Sequence, residues 1–248
     1  MAETEVILKA DTVYRIADAI RAGREDADVT YLPSEMPDAI RSTRDMENAL
    51  LARTVTEYVN SSAMTVGMRA FRGCDALERV SLAACTTIGI YAFESCTALT
   101  EVELPAVTFL NNQAFYGCTG LIKLVLPSLD RTVYRAFQNC SSLEEVDCGT
   151  KAWRLHVGDF YGCTALSRLI LRKKEQCVVF DGSDSIALAD TLIKKGMGHI
   201  YVPAVLIESY KTAEKWSAYA SQFRVLEDYT VDGTITGALD MNKIGGDE

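Results

Sequence analysis

The sequence predicts an α/β solenoid, a fold in which short repeated units stack along one axis. A single pattern recurs five times between Met64 and Leu171, with a phenylalanine, a cysteine and a leucine at fixed places. A unit of twenty-odd residues cannot bury its apolar side chains alone, so consecutive units must stack into a continuous core. The repeated residues are Phe71, Phe93, Phe115, Phe137 and Phe160, then Cys74, Cys96, Cys118, Cys140 and Cys163, and then Leu77, Leu99, Leu121, Leu143 and Leu166.

Each unit contains one strand pattern and one helical pattern. Leu77, Val80 and Leu82 are interleaved with polar residues, which indicates the two-residue period of a half-buried strand. Parallel stacking of these strands would form a sheet on one face of the solenoid. Phe71 and Cys74 are spaced as on a helix, so we expect short helical turns on the other face, with phenylalanine filling the interior.

The repeats, residues 53–173, are flanked by segments of a different pattern. Residues 1–52 predict a helical segment, because apolar residues recur at helical spacing from Val13 to Ile20. This segment would either cap the first unit, as terminal repeats require, or dock the solenoid onto a larger assembly. For residues 174–228 the sequence predicts an α+β C-terminal capping region, and for residues 229–248 it predicts a hairpin and a mobile tail.

Local signals place further elements at the two ends of the repeats. Residues 53–60 indicate a strand, which we interpret as a degenerate first unit. In the C-terminal region we expect a strand at 199–202, a helical stretch after Pro203 and a returning strand at 223–226. Asp232–Gly233 suits the two-residue turn of a hairpin.

The charge and hydropathy of the chain disfavour two classes of partner. The net charge of −9 argues against nucleic acid and against an anionic membrane surface, both of which attract clustered Lys and Arg. No uninterrupted apolar stretch approaches the length of a membrane-spanning helix, so no membrane insertion is expected. The N-terminus lacks the pattern of a secretory signal, so we expect synthesis in the cytoplasm without a signal peptide.

The residues that usually carry chemistry are sparse. Five of the eight cysteines belong to the repeat and Cys148 also falls on a core position, which leaves Cys85 and Cys177 unassigned. Buried reduced thiols are the expected state. Only His156 and His199 are available as bases, and neither has an orienting partner nearby in the sequence. We therefore expect no catalytic residues, no metal site and no cofactor.

The repeated AF-x-x-C-x-x-L-x-x-V-x-L pattern resembles the BspA-like, or Treponema-type, leucine-rich repeat family. The resemblance implies a leucine-rich-repeat solenoid and a role in protein–protein binding or adhesion at bacterial surfaces. The fifth unit departs from the pattern, because Asp159 replaces the alanine before phenylalanine and one residue is inserted. The insertion suggests a local bulge near residues 153–156.

Two shorter resemblances concern the flanks. The N-terminal ADAIR and LPSEMPDAI segments resemble the start of many phage tail and prophage structural proteins. The order of strand, helices and strand after residue 199 is similar to caps that follow such repeats in bacterial and prophage proteins. Together they imply a virion, tail-associated or bacterial cell-surface location.

The outward face of the predicted sheet is the candidate binding site. Acidic side chains share it with apolar side chains that have no evident packing role, a mixture that fits an interface with an apolar centre and a polar rim. A merely solvated face is the alternative, since solenoid surfaces are polar by default. The candidate partner-binding residues are Arg79, Glu101, Glu103, Ile122, Lys123, Val125, Glu145, Asp147, Arg168 and Ile170.

The sequence therefore favours a non-enzymatic recognition protein, phage tail-associated or adhesin-like, that binds a host-surface or virion protein, or a surface glycan. The alternative is a structural spacer that assembles, or forms homo-oligomers, through its terminal segments. A weaker alternative is an enzyme within residues 174–228.

Overall fold

The described part of the protein consists mainly of parallel β-strands and the turns that connect them. The computed structural model describes residues 56–182 and 188–226, so the predicted N-terminal helices and the C-terminal hairpin lie outside the described residues. The strands are β1 (Glu57–Val59), β2 (Thr65–Val66), β3 (Arg79–Ser81), β4 (Thr87–Ile88), β5 (Glu101–Glu103), β6 (Phe109–Leu110), β7 (Lys123–Val125), β8 (Arg131–Thr132), β9 (Glu145–Asp147), β10 (Arg154–His156), β11 (Arg168–Ile170), β12 (Val179–Asp181), β13 (His199–Val202) and β14 (Phe223–Val225).

The strands form two parallel sheets that face each other across the core. The first sheet has the order β1-β3-β5-β7-β9-β11-β13-β14, and the second has the order β12-β10-β8-β6-β4-β2. Each of the first six turns therefore gives one strand to each sheet. The predicted strand at 53–60 is confirmed as β1, and the predicted strands at 199–202 and 223–226 are confirmed as β13 and β14.

The second sheet is the main feature that sequence reasoning missed. Helical turns were expected opposite the first sheet, but this side carries short strands followed by consecutive β-turns. In the first unit the N–H of Cys74 donates to the Phe71 carbonyl at 3.1 Å, a bond across three residues. Arg69, before this turn, and Gly73, within it, have φ of 57° and 73°, and this left-handed backbone stops the turns from continuing as a helix.

The predicted phenylalanine column is confirmed and forms the centre of the solenoid. Successive rings from Phe71 to Phe160 are stacked with centroids 5.1, 5.1, 6.1 and 5.7 Å apart. Tyr58 extends the column at the N-terminal end, 4.8 Å from Phe71. Phe93 and the three rings after it are fully buried. The regular sequence period therefore corresponds to one continuous aromatic stack.

The repeated cysteines are hydrogen-bond donors inside this core. The thiol of Cys96 donates to the carbonyl of Phe71, one unit earlier, at 3.0 Å, and the thiol of Cys118 makes the same bond to Phe93. Cys140 and Cys163 repeat the contact at 3.0 and 3.1 Å. All eight cysteines are free, and seven of them are buried. Cysteine fits this position because it is small and apolar and still donates a weak hydrogen bond.

The irregular fifth unit is accommodated by a turn and by a buried carboxylate. Lys123 pairs with Glu145, an offset of 22 residues, whereas Arg131 pairs with Arg154, an offset of 23. The inserted residue therefore lies in the connection between β9 and β10, and the bulge expected at 153–156 is misplaced. A turn can absorb one extra residue without moving the side chains of a strand to the opposite face.

Asp159 satisfies backbone groups beside this change of register. One carboxylate oxygen accepts the N–H of Ala136 at 2.8 Å, and the other accepts the N–H of His156 at 2.8 Å and the Thr132 hydroxyl. Desolvation raises the pKa of the fully buried Asp159 to about 6, although the three hydrogen bonds act to lower it. The carboxylate is thus a structural acceptor.

Side chains from the C-terminal region close the exposed edge of β12. The only α-helix among the described residues, α1 (Ile207–Thr212), lies between two short 3-10 helices, Ala204–Leu206 and Ser217–Gln222. Tyr210 Oη accepts the Val178 N–H at 2.7 Å, and Trp216 Nε1 donates to the Val178 carbonyl at 2.6 Å. The helical stretch predicted after Pro203 therefore closes the end of the second sheet.

Truncation of the central ring should destabilise the protein far more than truncation of a surface ring. We expect Phe115→Ala to lower the free energy of unfolding by about 3–5 kcal/mol, because it removes two stacking contacts and leaves a cavity. Phe109→Ala, on the half-buried outer side of β6, is the matched control and should lower it by about 1 kcal/mol. Urea denaturation measures both. Equal losses would show that the stacked rings are not the principal core.

Asp159 should make stability fall as pH rises through the range around 6. Its folded pKa of about 6 lies above its ordinary value of 3.8, so the folded state binds more protons than the unfolded state between these values. From pH 5 to pH 7 we expect the stability of the wild type to decrease by about 1.4 kcal/mol relative to Asp159→Ala. Chemical denaturation of both proteins at the two pH values measures this difference. A stability difference between wild type and variant that stays constant from pH 5 to pH 7 would contradict the raised pKa of Asp159.

Candidate functional site

The outward face of the first sheet is formed by the first and third residues of its strands from β1 to β13. The second residue of each of these strands points into the core, as Val80 and Leu124 do, whereas β14 turns its first residue, Phe223, inward. Strand pairing aligns the outward residues in two columns that run along the solenoid. The first column contains Glu57, Arg79, Glu101, Lys123, Glu145, Arg168 and His199, and the second contains Val59, Ser81, Glu103, Val125, Asp147, Ile170 and Tyr201.

The N-terminal half of this face is exposed, and its charged side chains form solvent-exposed ion pairs. Arg79 lies 3.2 Å from Glu57, 3.5 Å from Glu101 and 4.0 Å from Glu103, and each of these side chains is between 44% and 69% exposed. Exposed ion pairs of this kind contribute about 0–1 kcal/mol each. A partner can therefore displace them at little energetic expense.

The C-terminal half is different, because its acidic residues are buried. Glu145 lies between two cations, with one oxygen 2.7 Å from Lys123 Nζ and the other 2.8 Å from Arg168 Nε. Arg172 binds Asp147 through both Nε and Nη2 at 2.8 Å. Glu145 and Asp147 are only 2% and 4% exposed, so the expectation that they are free to bind a partner is wrong. Their negative charge is already neutralised by the protein.

Ile170 is also buried, which corrects a second expectation for this face. It is 1% exposed and forms a small cluster with Tyr201 and Leu226. Ile122, by contrast, is 50% exposed, and Val125 is half-buried. Of the three apolar residues expected to be exposed, only the two beside Lys123 remain accessible.

The accessible part of the candidate site is therefore smaller than predicted and shifted toward the N-terminus. We call it the N-terminal face and define it by the outward residues of β1, β3, β5 and β7 together with Ile122. It includes two residues that sequence reasoning missed, Glu57 and the 47% exposed Val59, although the alternating pattern of residues 53–60 could have revealed them. Arg168 is half-buried and lies outside this face, because it is on β11 and β9 separates that strand from β7.

Burial and hydrogen bonding determine the surroundings of the described cysteines and histidines. Desolvation raises the pKa of the buried Cys118 and Cys148 thiols well above the ordinary value, so neither is poised as a nucleophile. Burial, with a smaller effect of Arg224, lowers the pKa of His199. His156 accepts the Gly158 N–H at its Nδ1. Within residues 56–182 and 188–226 no group of three or more potential ligands could hold a metal ion.

None of the helices within residues 56–182 and 188–226 combines the length and the apolar character needed to cross a bilayer.

Comparison with known proteins identifies the repeats. The family model for the BspA type leucine-rich repeat region matches residues 59–181 in six copies. A search of the curated proteins found no relative of the chain.

Three solved structures of bacterial proteins are similar to this chain. A leucine-rich repeat protein of Treponema pallidum, TpLRR, is 31% identical, with a TM-score of 0.46, and the match covers 48% of this chain and 59% of that protein. The pneumococcal vaccine antigen PcpA has a TM-score of 0.53 at 16% identity, covering 69% of this chain and 40% of its own. A leucine-rich repeat protein from Bacteroides ovatus has a TM-score of 0.44 at 24% identity, covering 60% of this chain and 40% of its own.

This chain therefore spans less than two thirds of each of these proteins. The likeness to the pneumococcal antigen supports the fold alone, and the family assignment depends on the repeat model. Both agree with a solenoid of stacked repeats. The repeat region of this chain, residues 59–181, belongs to the BspA-type leucine-rich repeat family.

Proposed function

We propose that this chain is a non-enzymatic protein-binding module whose partner contacts the N-terminal face of the first sheet. One observation carries the proposal: Ile122, the residue directly before β7, is 50% exposed, and β7 itself pairs Val125 with Glu103 of β5. Exposed apolar side chains with a charged rim are typical of the centre of a protein interface.

The strands beneath this face favour binding without rearrangement. The middle residues of β3 and β7 are fully buried in the core, and β1, β3 and β5 pair with one another in register. The outward side chains are thus held on a fixed backbone. Such a surface loses little conformational entropy when a partner binds.

The charges of the face favour a partner with its own mixed charges. Glu57, Arg79 and Glu101 alternate in sign along the first column, and Glu103 adds a further carboxylate. A complementary surface would place cations opposite the glutamates and an apolar group opposite Ile122. Electrostatic complementarity of this kind raises the association rate and fixes the register of the two surfaces.

For the place of action we propose a bacterial cell surface or a phage tail, with a host-surface or virion protein, or a surface glycan, as the partner. Membership of the BspA-type repeat family supports a location at the cell surface. The resemblance of the first residues to tail proteins supports a location in a virion. In the alternative, a spacer, the segments 1–52 and 229–248 would make the assembly contacts.

Charge reversal on the N-terminal face should weaken recognition of the partner. We expect Glu101→Lys/Glu103→Lys to weaken capture from arrayed bacterial surface proteins by about tenfold or more, because two carboxylates of the interface change sign. Glu175→Lys/Glu208→Lys is the matched control, since it changes the net charge equally at side chains that are 75% and 79% exposed elsewhere. Surface plasmon resonance measures both variants.

Equal affinities for the face variant, the control and the wild type would show that the partner does not contact this face.

Deletion of residues 1–52 or 229–248 distinguishes a recognition module from the spacer alternative. A spacer should lose mass in light scattering and a recognition module should keep its affinity.

A further inference from the structure

The turns that lead from the second sheet back to the first carry an uncharged surface in three consecutive repeats. Three positions surround each repeated cysteine, two before it and one after it. Between β6 and β11 none of the nine residues at these positions is charged, although 24% of the chain is charged. We call these nine residues the uncharged turn surface. They are Tyr116, Gln138 and Tyr161, then Gly117, Asn139 and Gly162, and then Thr119, Ser141 and Thr164.

Charged residues lie at both ends of this surface. In the two preceding repeats the first position holds Arg72 and Glu94, and Arg72 Nη2 donates to Glu94 Oε1 at 3.2 Å. At the other end Asp190 accepts the N–H of Gly162 at 3.2 Å. The change from an ion pair to uncharged side chains occurs within one repeat, between Glu94 and Tyr116. The uncharged composition is therefore not imposed by the repeat itself.

Backbone hydrogen bonds align the three repeats along a straight line. The N–H of Gly117 donates to the Gln138 carbonyl, and the N–H of Asn139 donates to the Tyr161 carbonyl, both at 2.8 Å. Because these bonds continue the parallel ladder of the sheets, Tyr116 and Tyr161 should be two strand spacings apart, roughly 10 Å. Tyr161 is 40% exposed and Tyr116 is half-buried, with Gln138 between them in the ladder.

Asn139 holds the side chain of Tyr116 in place. Its Nδ2 donates to Tyr116 Oη at 3.1 Å. A Cβ atom at position 162 would collide with Asn139 Oδ1, so glycine is needed there for the amide to keep this position. The aromatic ring is thus fixed by a side chain from the next repeat. A surface fixed in this way loses little conformational entropy when it binds a ligand.

Gln138 has an unsatisfied hydrogen-bonding atom between the two tyrosines. The residue is 8% exposed, and its Oε1 is buried without a hydrogen-bond partner among the described residues. Buried polar atoms of this kind are normally paired. A ligand hydroxyl group that reaches Gln138 would satisfy the amide, which can both donate and accept.

The chemistry of the surface favours a neutral ligand that is rich in hydroxyl groups. Phenol, amide and hydroxyl groups each donate and accept hydrogen bonds, as the hydroxyl groups of a sugar do. The C–H groups on the flat face of a pyranose can pack on the negative face of an aromatic ring. A charged ligand would find no counter-charge among the nine residues, and a protein would find no aliphatic side chain there.

The separation of the two tyrosines specifies the linkage of the sugar chain. In an extended β-1,4-linked chain every second pyranose presents the same face, and this disaccharide repeat is close to two strand spacings. An α-1,4-linked chain curves and cannot follow the straight line of the repeats. We propose that the uncharged turn surface binds an extended, neutral β-1,4-linked glycan parallel to the solenoid axis, with pyranose rings at Tyr116 and Tyr161 and a hydroxyl group at Gln138. This site lies on the turns, outside the N-terminal face, and its ligand is independent of the partner of that face.

The test uses the full chain with two β-1,4-linked probes, cellohexaose and chitohexaose. Maltohexaose is the matched control, because it has the same monomers as cellohexaose joined by α-1,4 bonds. Saturation-transfer-difference NMR detects contact with the C–H groups of the sugars, and isothermal titration calorimetry measures affinity. We expect saturable binding of at least one β-1,4-linked hexamer, and binding of maltohexaose that is weaker by about tenfold or more.

Variants then assign the binding to the surface. Tyr161→Ala should weaken it by about tenfold or more because a stacking ring is lost, whereas Tyr161→Phe keeps the ring and should stay within about threefold. Tyr134→Ala is the matched control, since Tyr134 is 37% exposed but lies outside the surface, and it should stay within about twofold. Glu101→Lys/Glu103→Lys on the N-terminal face should also leave the glycan affinity unchanged. Circular dichroism melting confirms that each variant folds.

Three results would overturn the proposal. They are absence of binding for both β-1,4-linked hexamers, equal affinity for maltohexaose, and equal losses in Tyr134→Ala and Tyr161→Ala. Weaker capture of an arrayed surface protein by Tyr161→Ala, with glycan binding unchanged, would overturn it in favour of a protein ligand at the turns. None of these outcomes bears on the N-terminal face, whose variants are tested separately.

Discussion

The structure depends on the contact between one repeat and the next through phenylalanine and cysteine. Each buried ring stacks on the ring of the neighbouring unit, and the cysteine thiol of the later unit donates to the carbonyl of the earlier phenylalanine. The phenylalanine N–H in turn donates to the alanine carbonyl of the following unit, as Phe93 does to Ala114 at 2.8 Å. Stacking and hydrogen bonding therefore impose the same spacing on the units. Both sheets inherit their register from this shared spacing.

The regular spacing makes the two outer surfaces comparable position by position. On the first sheet the charges alternate, so the sheet neutralises itself, and its C-terminal half even buries Glu145 between two cations. On the second sheet Arg131 and Arg154 are adjacent and stack on aromatic rings. Because both sheets rest on one core, the contrast reflects the choice of outward residues. The same scaffold thus presents one surface on which the charges alternate and one on which two arginines are adjacent, each beside an aspartate.

Sequence reasoning recovered the features that the repeat period encodes. The stacked column, the first sheet and the C-terminal strands follow from residues at fixed intervals, such as Phe115 and Val80. The strands of the second sheet contain only two or three residues, too few for a two-residue period to stand out. The left-handed backbone of residues such as Tyr91 and Gln113 could not be predicted either, since neither residue type usually adopts that conformation.

The candidate site was harder to predict, because exposure depends on neighbours outside the repeat. Strand alternation correctly placed Glu145, Asp147 and Ile170 on the outward side of the first sheet. It could not reveal that all three are buried. Arg172, which binds Asp147, lies beyond the end of β11 and carried no sequence signal of its own. An outward position is a property of one strand, whereas accessibility is a property of the assembled surface.

The closed edge of β12 has a consequence for how such chains can change in length. Tyr210, Trp216 and Lys215 occupy the backbone groups of Val178 and Phe180 that a further strand would need. Adding a repeat unit at this end would require a new capping segment, since the existing one fits only the last turn. Duplication or loss of a whole internal unit between Phe71 and Phe160 meets no such barrier, because each neighbour offers almost the same ring, thiol and carbonyl. Evolution can therefore lengthen or shorten the molecule from its middle while both ends stay unchanged.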